Sequence, residues 1–420
     1  MLIKTLTLLI FTLMSSDGSA SLKTEHPPHV GPFGLPFSQA QIKAVEEKLS
    51  LQNSLLDPEV KELENLLSMG KKASLWINTI NANRPKDTWL DLSSPKKSGG
   101  IPYSDPLKNN TSILKKRLED FLLKTHPQLV ELLISNETLP STPPLFVSDE
   151  EFVNSMRSLD RIYQATIRWA KSREWLSWYI NKSIFDVRAF LHLGQIPNLE
   201  IVLKSYPTMP SHEQSQYTKW LIDLCKNGDF DPNDCRDELI SYLKRNNLFG
   251  FYERFKKYGQ KMYDLFFTIK KTRPEIFWDS DKNVLTSPFQ IPQNIEVQDW
   301  LKFNVEAEWS KNQKYLILDF KKSSEDIPSI QFKSGVTANV NGIAGNLITM
   351  ESEYPLSSLD QMWTIRHEYG HVIGFEDCYL EFYDTNEKAM IYYEIDVDNL
   401  MCSRNGKIQD SHFKELLKAY

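Results

Sequence analysis

His367 and His371 stand four residues apart in the stretch Thr364-Ile-Arg-His-Glu-Tyr-Gly-His-Val-Ile-Gly-Phe-Glu-Asp377, with Glu368 directly after the first histidine. On a helix this spacing projects both imidazoles from one face, a turn apart, as coordination of a single metal ion requires. Glu368 then reaches a water on that metal without ligating the metal itself. Zinc lowers the pKa of such a water toward 7, so a neighbouring carboxylate can take its proton during attack on a polarised carbonyl and later pass it to a leaving amine. The bland reading of the histidine pair alone is a surface helix with two unrelated imidazoles. The residues that follow weigh against it. Gly374 suits the left-handed conformation that ends a helix and turns the chain back. Asp377, three residues further on, then has a route to the third protein position of an open tetrahedral site.

Other carboxylates compete for that third position. Glu376 is adjacent, and Glu387 to Glu394 could form a second helix bringing a distant glutamate to the metal. Gly374 favours Asp377, because a glycine is a poor residue for continuing the motif helix, costing about 1 kcal/mol relative to alanine.

The elements that must position these residues follow from texture. From about residue 38 to 284 the pattern is overwhelmingly helical. Asp57-Pro58 with Val60, Leu63 and Leu67 predicts a capped helix stopping at Gly70. Ser148-x-x-Glu151 predicts a capped start before Phe152, Met156, Leu159, Tyr163 and Ile167. Breaks at Ser93–Pro106 and Leu139–Pro144 separate the helical blocks. From about residue 285, Ile295–Val305, Tyr315–Phe320 and Ile330–Met350 read as strands, followed by the motif helix, a long loop and a terminal helix from Asp410 to Tyr420. The fold class is α+β, a helical domain (38–284) before a smaller α/β domain (285–420).

The four cysteines, Cys225, Cys235, Cys378 and Cys402, allow three pairings, of which proximity favours Cys225–Cys235 and Cys378–Cys402. The acidic loop between the first two departs from a calcium-binding loop in its ligand positions, so a disulfide-closed turn between helices is expected. Lys4, the apolar run Leu6–Met14 and the small residues Gly18 and Ala20 read as a secretory signal peptide over residues 1–20, followed by an irregular arm at 21–37. An oxidising compartment and an exported chain fit together. The net charge of −6 excludes a general nucleic-acid binder, and no later segment is long and apolar enough to span a membrane.

With Gly374-x-x-Asp377-x-Tyr379 completing the pattern HExxHxxGxxD, the chain resembles the metzincin zinc peptidases that use an aspartate third ligand. It is similar to the snapalysin-type and immune-inhibitor-A-type secreted peptidases. Asp398-Asn-Leu-Met401-Cys-Ser403 resembles the family's methionine turn, an apolar floor beneath the metal. The resemblance spans about residues 335–420. It implies one catalytic zinc on His367, His371 and Asp377, with Glu368 as base, in a metzincin-like domain. The stretch 335–354 takes the place of the edge strand that aligns a peptide or protein substrate by β-augmentation. A turn under the metal also brings Cys378 and Cys402 into one neighbourhood, where a bridge would pin the ligand loop to the floor. Two departures stand out. Ser403 occupies a position where some metzincins carry a tyrosine, and the carboxylate ligand leaves a neutral unit and a weaker Lewis acid. Two other functions remain open: a zincin with a distant Glu ligand, thermolysin-like, and a catalytically silent zinc-stabilised binding protein. The helical part matches no nameable family and could be an inhibitory propeptide, a binding module or a scaffold.

Overall fold

The computed structural model describes residues 64–420 apart from 86–87, 91, 93–101, 136, 323–325 and 404–405. The leader at 1–20, the arm at 21–37 and the helix start at Asp57-Pro58 lie outside the described residues. The first described helix, α1 (Glu64–Ala82), runs through Gly70 rather than stopping there. The reason is packing. A Cβ at Gly70 would strike the ring of the buried Tyr163 on α4 (Asp149–Ser172), so the glycine lets two helices approach closely. Leu66, Met69, Ala73, Trp76 and Ile80 recur at helical spacing along the buried face of α1, opposite Phe152, Met156 and Leu159 of α4. The Trp76 and Phe152 rings meet edge-on at 5.0 Å. As expected, α4 starts at Ser148, whose side chain accepts from the Glu151 backbone N–H at 3.1 Å. Between α1 and α4 lie the short strand β1 (Leu107–Asn109), α2 (Thr111–Lys124) and α3 (Pro127–Ile134).

A second core gathers α6 (Arg188–Gln195), α7 (Leu199–Lys204), α8 (Ser211–Lys226), α9 (Pro232–Lys244) and α10 (Leu248–Leu265), which follow the short α5 (Leu176–Asn181). The Cys225–Cys235 disulfide closes the α8–α9 turn with Cα atoms 5.9 Å apart. Asp231 there accepts from the Asn233 backbone at 2.7 Å, so one of the loop's acids caps a helix.

The third core holds the small sheets. β2 (Phe277–Asp279), β3 (Val284–Gln290) and β4 (Tyr315–Lys321) form one, with β3 and β4 parallel. Their connection corrects one expectation. Ile295–Val305 is not a strand but helix α11 (Ile295–Leu301) continued by a π turn at 302–306. Its enrichment in branched and aromatic residues suggests a strand, yet Val297, Trp300, Leu301 and Val305 are buried at helical spacing, and Asn294 caps Glu296 N at 2.9 Å. A second sheet has the order β5-β7-β6, from β5 (Ser329–Lys333), β6 (Asn339–Val340) and β7 (Leu347–Glu351). The stretch 335–354 is therefore not one edge strand, since β7 is central and only the two-residue β6 lies at the edge. Helix α12 (Leu359–Val372) carries the histidines. Instead of a long loop, a hairpin follows, β8 (Tyr379–Asp384) and β9 (Ala389–Glu394), before α13 (Asp410–Ala419). Residues 389–394 are buried throughout, and they form a strand, not the second helix that a distant glutamate ligand would need.

Mixed helices and small sheets make the fold α+β, but packing crosses residue 285. β1 pairs antiparallel with β9, giving the order β1-β9-β8, and Met390 of β9 is buried in the first helical core. The buried Arg168 of α4 bonds Glu381 of β8. The Tyr393 hydroxyl donates to Asp186 at 2.9 Å and accepts from Val187 N at 3.0 Å. Among the described residues no helix is long and apolar enough to cross a membrane.

Gly70→Ala tests the close approach of α1 and α4. Helix propensity alone favours the alanine by about 1 kcal/mol. Overpacking against Tyr163 outweighs this, and a net loss of about 1–2 kcal/mol is expected in urea unfolding; a gain in stability would show that the helices are not in tight contact.

Candidate metal centre

Helix α12 begins at Ser358, which accepts from Gln361 N at 3.2 Å, and buries Ile365, Tyr369 and Val372 in the third core. Its histidines therefore emerge on a defined face. At its end Gly374 adopts φ +96°, with the Lys271 carbonyl and the Ile269 side chain so close that a Cβ would strike both. The Phe375 N–H bonds back to Gly370 O at 2.9 Å, and the chain turns toward the helix face it has just left.

That turn delivers Asp377. Its Oδ1 lies 3.0 Å from His367 Nε2 and 3.3 Å from His371 Nε2, and one ligand atom from each residue falls within 4.8 Å of the others. The opposite ring nitrogens are both committed. His367 Nδ1 meets Leu400 O at 3.1 Å and His371 Nδ1 meets Phe375 O at 2.8 Å. A carbonyl only accepts, so each Nδ1 carries the hydrogen and each Nε2 presents a lone pair to the shared point. Asp377 Oδ1 is buried without a hydrogen-bond partner, although 29% of the side chain is exposed. Three lone pairs facing one another repel unless a cation lies between them, a proton on His371 in the metal-free protein or a metal ion in its place. The donor set, two imidazoles and a carboxylate, thus fits a divalent metal such as zinc.

Electrostatics express the same convergence. Burial alone would lower His371 and raise Asp377. Their mutual attraction outweighs it, lifting His371 to about 9 and holding the Asp377 carboxyl well below its usual range. Glu368 is 1% exposed, and burial raises its carboxyl against the lowering effect of both imidazoles. It is a carboxyl group kept out of bulk water within electrostatic reach of all three donors.

The floor of the site is built from the 398–403 segment. A Cβ at Gly370 would collide with the Met401 sulfur, so this glycine lets the methionine lie directly under α12. The Cys378–Cys402 disulfide, with Cα atoms 4.3 Å apart, joins the residue after Asp377 to the residue after Met401. Cys378 N also bonds Met401 O at 3.1 Å. Glu387 and Glu394 stay out of the donor group. Glu387 is at the far end of the hairpin, paired with Lys108. Glu394 is buried opposite Tyr379, its N–H held by Ser104 Oγ at 2.9 Å.

Two supporting residues escaped the sequence analysis. Asn399 Oδ1 accepts from Met401 N at 2.8 Å and faces His412 Nε2 at 3.1 Å, while His412 Nδ1 accepts from Gln409 N at 2.9 Å. Helix α13 thereby braces the floor. An asparagine two residues before the methionine was the one available signal, since asparagine side chains commonly bond the backbone two residues on. No family model, no curated protein and no solved structure matches this chain.

Two outcomes follow for solution experiments. Because His371 sits at about 9 before metal enters, uptake of zinc near pH 7 should release about one proton, and affinity should rise about tenfold per pH unit below 9. Calorimetric titration in buffers of different ionisation enthalpy reads that proton directly; zero release would mean the histidine is already neutral. Burial also lowers His412, to about 4. Its folded value lies below an unfolded value near 6.5, so the unfolded chain protonates first. This contribution is fully present above about pH 6.5 and is lost as pH falls toward 4, by about 3 kcal/mol. Urea unfolding should show wild type losing about that much more stability across this window than His412→Gln; parallel curves would contradict a neutral buried imidazole.

Proposed function

We propose that the chain is a secreted, zinc-dependent endopeptidase of metzincin type. One observation carries the reading: His367 Nε2, His371 Nε2 and Asp377 Oδ1 converge with both Nδ1 atoms tied to carbonyls, while Glu368 stands beside them. The position of Met401 under α12 supports the metzincin form of the site. Two disulfides support an oxidising, extracytoplasmic setting. A structural zinc site closes its fourth position with a protein ligand, and three converging donors with an adjacent carboxylate favour the catalytic arrangement.

Zinc held by these three residues would supply Lewis acidity, polarising a substrate carbonyl and acidifying water. Glu368 takes the proton from the attacking water and, now neutral, delivers it to the leaving amine, a transfer helped by a carboxyl already raised by burial. Asp377 and the carbonyls of Leu400 and Phe375 hold the two imidazoles in orientation. Strand β6, antiparallel to β7 at the sheet edge, is where an extended peptide would add by backbone hydrogen bonds.

Glu368→Gln should retain zinc and lose at least about 100-fold in casein hydrolysis, because the donors remain while the base is gone. Asp377→Ala should lose zinc on dialysis, whereas Glu387→Ala and Glu394→Ala keep it. Near-native hydrolysis by the Glu368 variant would refute the mechanism, and zinc retained by the Asp377 variant but lost by the Glu394 variant would refute the metzincin assignment.

A further inference from the structure

A cavity of about 640 Å³ lies between α2 and α4. Its volume falls within the range of about 300–1,000 Å³ typical of built ligand sites. Two helix faces line it. Arg117, Asp120, Phe121 and Lys124 recur at helical spacing on α2, and Asn154, Ser155, Ser158, Arg161 and Ile162 do so on α4. Apart from Leu107, Phe121 and Ile162 the lining is polar, so polar chemistry decides what fits.

Arg117 is half-buried, and its Nη1 donates to Asn109 Oδ1 at 3.2 Å. Among the described residues it forms no ion pair. The charge that acts on it is a like one: burial first, and then the neighbouring Arg161, hold its pKa below the usual arginine range. Burial lowers Arg161 as well, but Glu394 of β9 and Asp105 oppose that effect, and neither of them lines the cavity. The cavity has acids of its own. Glu150 and Glu151 are exposed and Asp120 is half-buried, and none comes within ion-pair distance of Arg117.

Two guanidinium groups held in one cavity repel each other, and an anion between them would turn that repulsion into attraction. Their forked donors match the paired oxygens of a phosphate or carboxylate. Hydroxyls of Thr125, Ser155 and Ser158 offer further donors, and Lys124 adds a third cation. The cavity is larger than a single oxyanion needs. Glu150, Glu151 and Asn154 can accept hydrogen bonds in the remaining space, which suits a hydroxylated body better than an apolar one.

We propose that this cavity binds a small organic oxyanion, its phosphate or carboxylate group seated between Arg117 and Arg161 and bridging α2 to α4. It shares no residue with the metal centre and gives the helical part a ligand of its own.

Thermal unfolding of the full-length protein tests the site, with inorganic phosphate and citrate as probes against chloride at equal ionic strength. At about 10 mM anion, a site of submillimolar affinity should raise Tm by about 2 °C or more. Arg117→Gln removes the unpaired charge; it should unfold no earlier than wild type in chloride and should lose the shift. Ser158→Glu places a carboxylate three residues before Arg161, so it should raise Tm in chloride and abolish the response. This second variant keeps the test decisive if the first folds poorly. A larger shift with phosphate assigns a phosphorylated ligand, and a larger shift with citrate a carboxylate one. No shift with either anion, or a shift that the folded variants retain, overturns the site.

Discussion

Everything at the candidate metal centre depends on two hydrogen bonds that touch no metal, His367 Nδ1 to Leu400 O and His371 Nδ1 to Phe375 O. They choose the tautomer of each ring and so decide which nitrogen offers a lone pair. Both acceptors are backbone carbonyls in loops, one just past α12 and one in the segment that carries Met401. The helix supplies the four-residue spacing, but the loops supply the chemistry. This makes the irregular 373–378 and 398–403 segments the parts whose geometry must be held most firmly.

The structure holds them through independent links. The Cys378–Cys402 bridge and the Cys378 N–H to Met401 O bond tie the two loops to each other. A bridge closing a loop of this length is worth about 3 kcal/mol in the chain-entropy account. Asn399 couples the floor to His412 and hence to α13. Trp309 adds a further link, donating to Arg366 O at 3.0 Å and stacking on Phe375 at 5.6 Å. These contacts hold both loops against α12, on which Glu368 is buried.

The sequence made the donors legible because their spacing is dictated by helical geometry and by Gly374, both local. Ser148 was legible for the same reason, and so were the cysteine pairs, close in the chain. What was not legible depends on partners distant in sequence. Gly70 reads locally as a stop, and only the ring of Tyr163 on another helix turns it into a packing notch. Ile295–Val305 has strand composition, yet its burial follows the helical period once its neighbours are in place. The His412 brace joins residues that share no motif. The cavity between α2 and α4 is the extreme case, since its walls come from three separate stretches of chain.

The same non-locality bears on what the helical part does. A detachable leader would leave behind a body whose surface is complete. Here, removing residues before 285 would strip β1 from the edge of β9, exposing a strand that contains Met390, Ile391 and Tyr392. It would also leave Glu381 without Arg168 and the buried Tyr393 hydroxyl without Asp186. An apolar edge and orphaned buried polar groups are each destabilising and prone to association. The third core itself includes Tyr103 and Val187 from the helical part. The helical part therefore completes the sheet of β8 and β9 and supplies buried partners to the residues that follow 285.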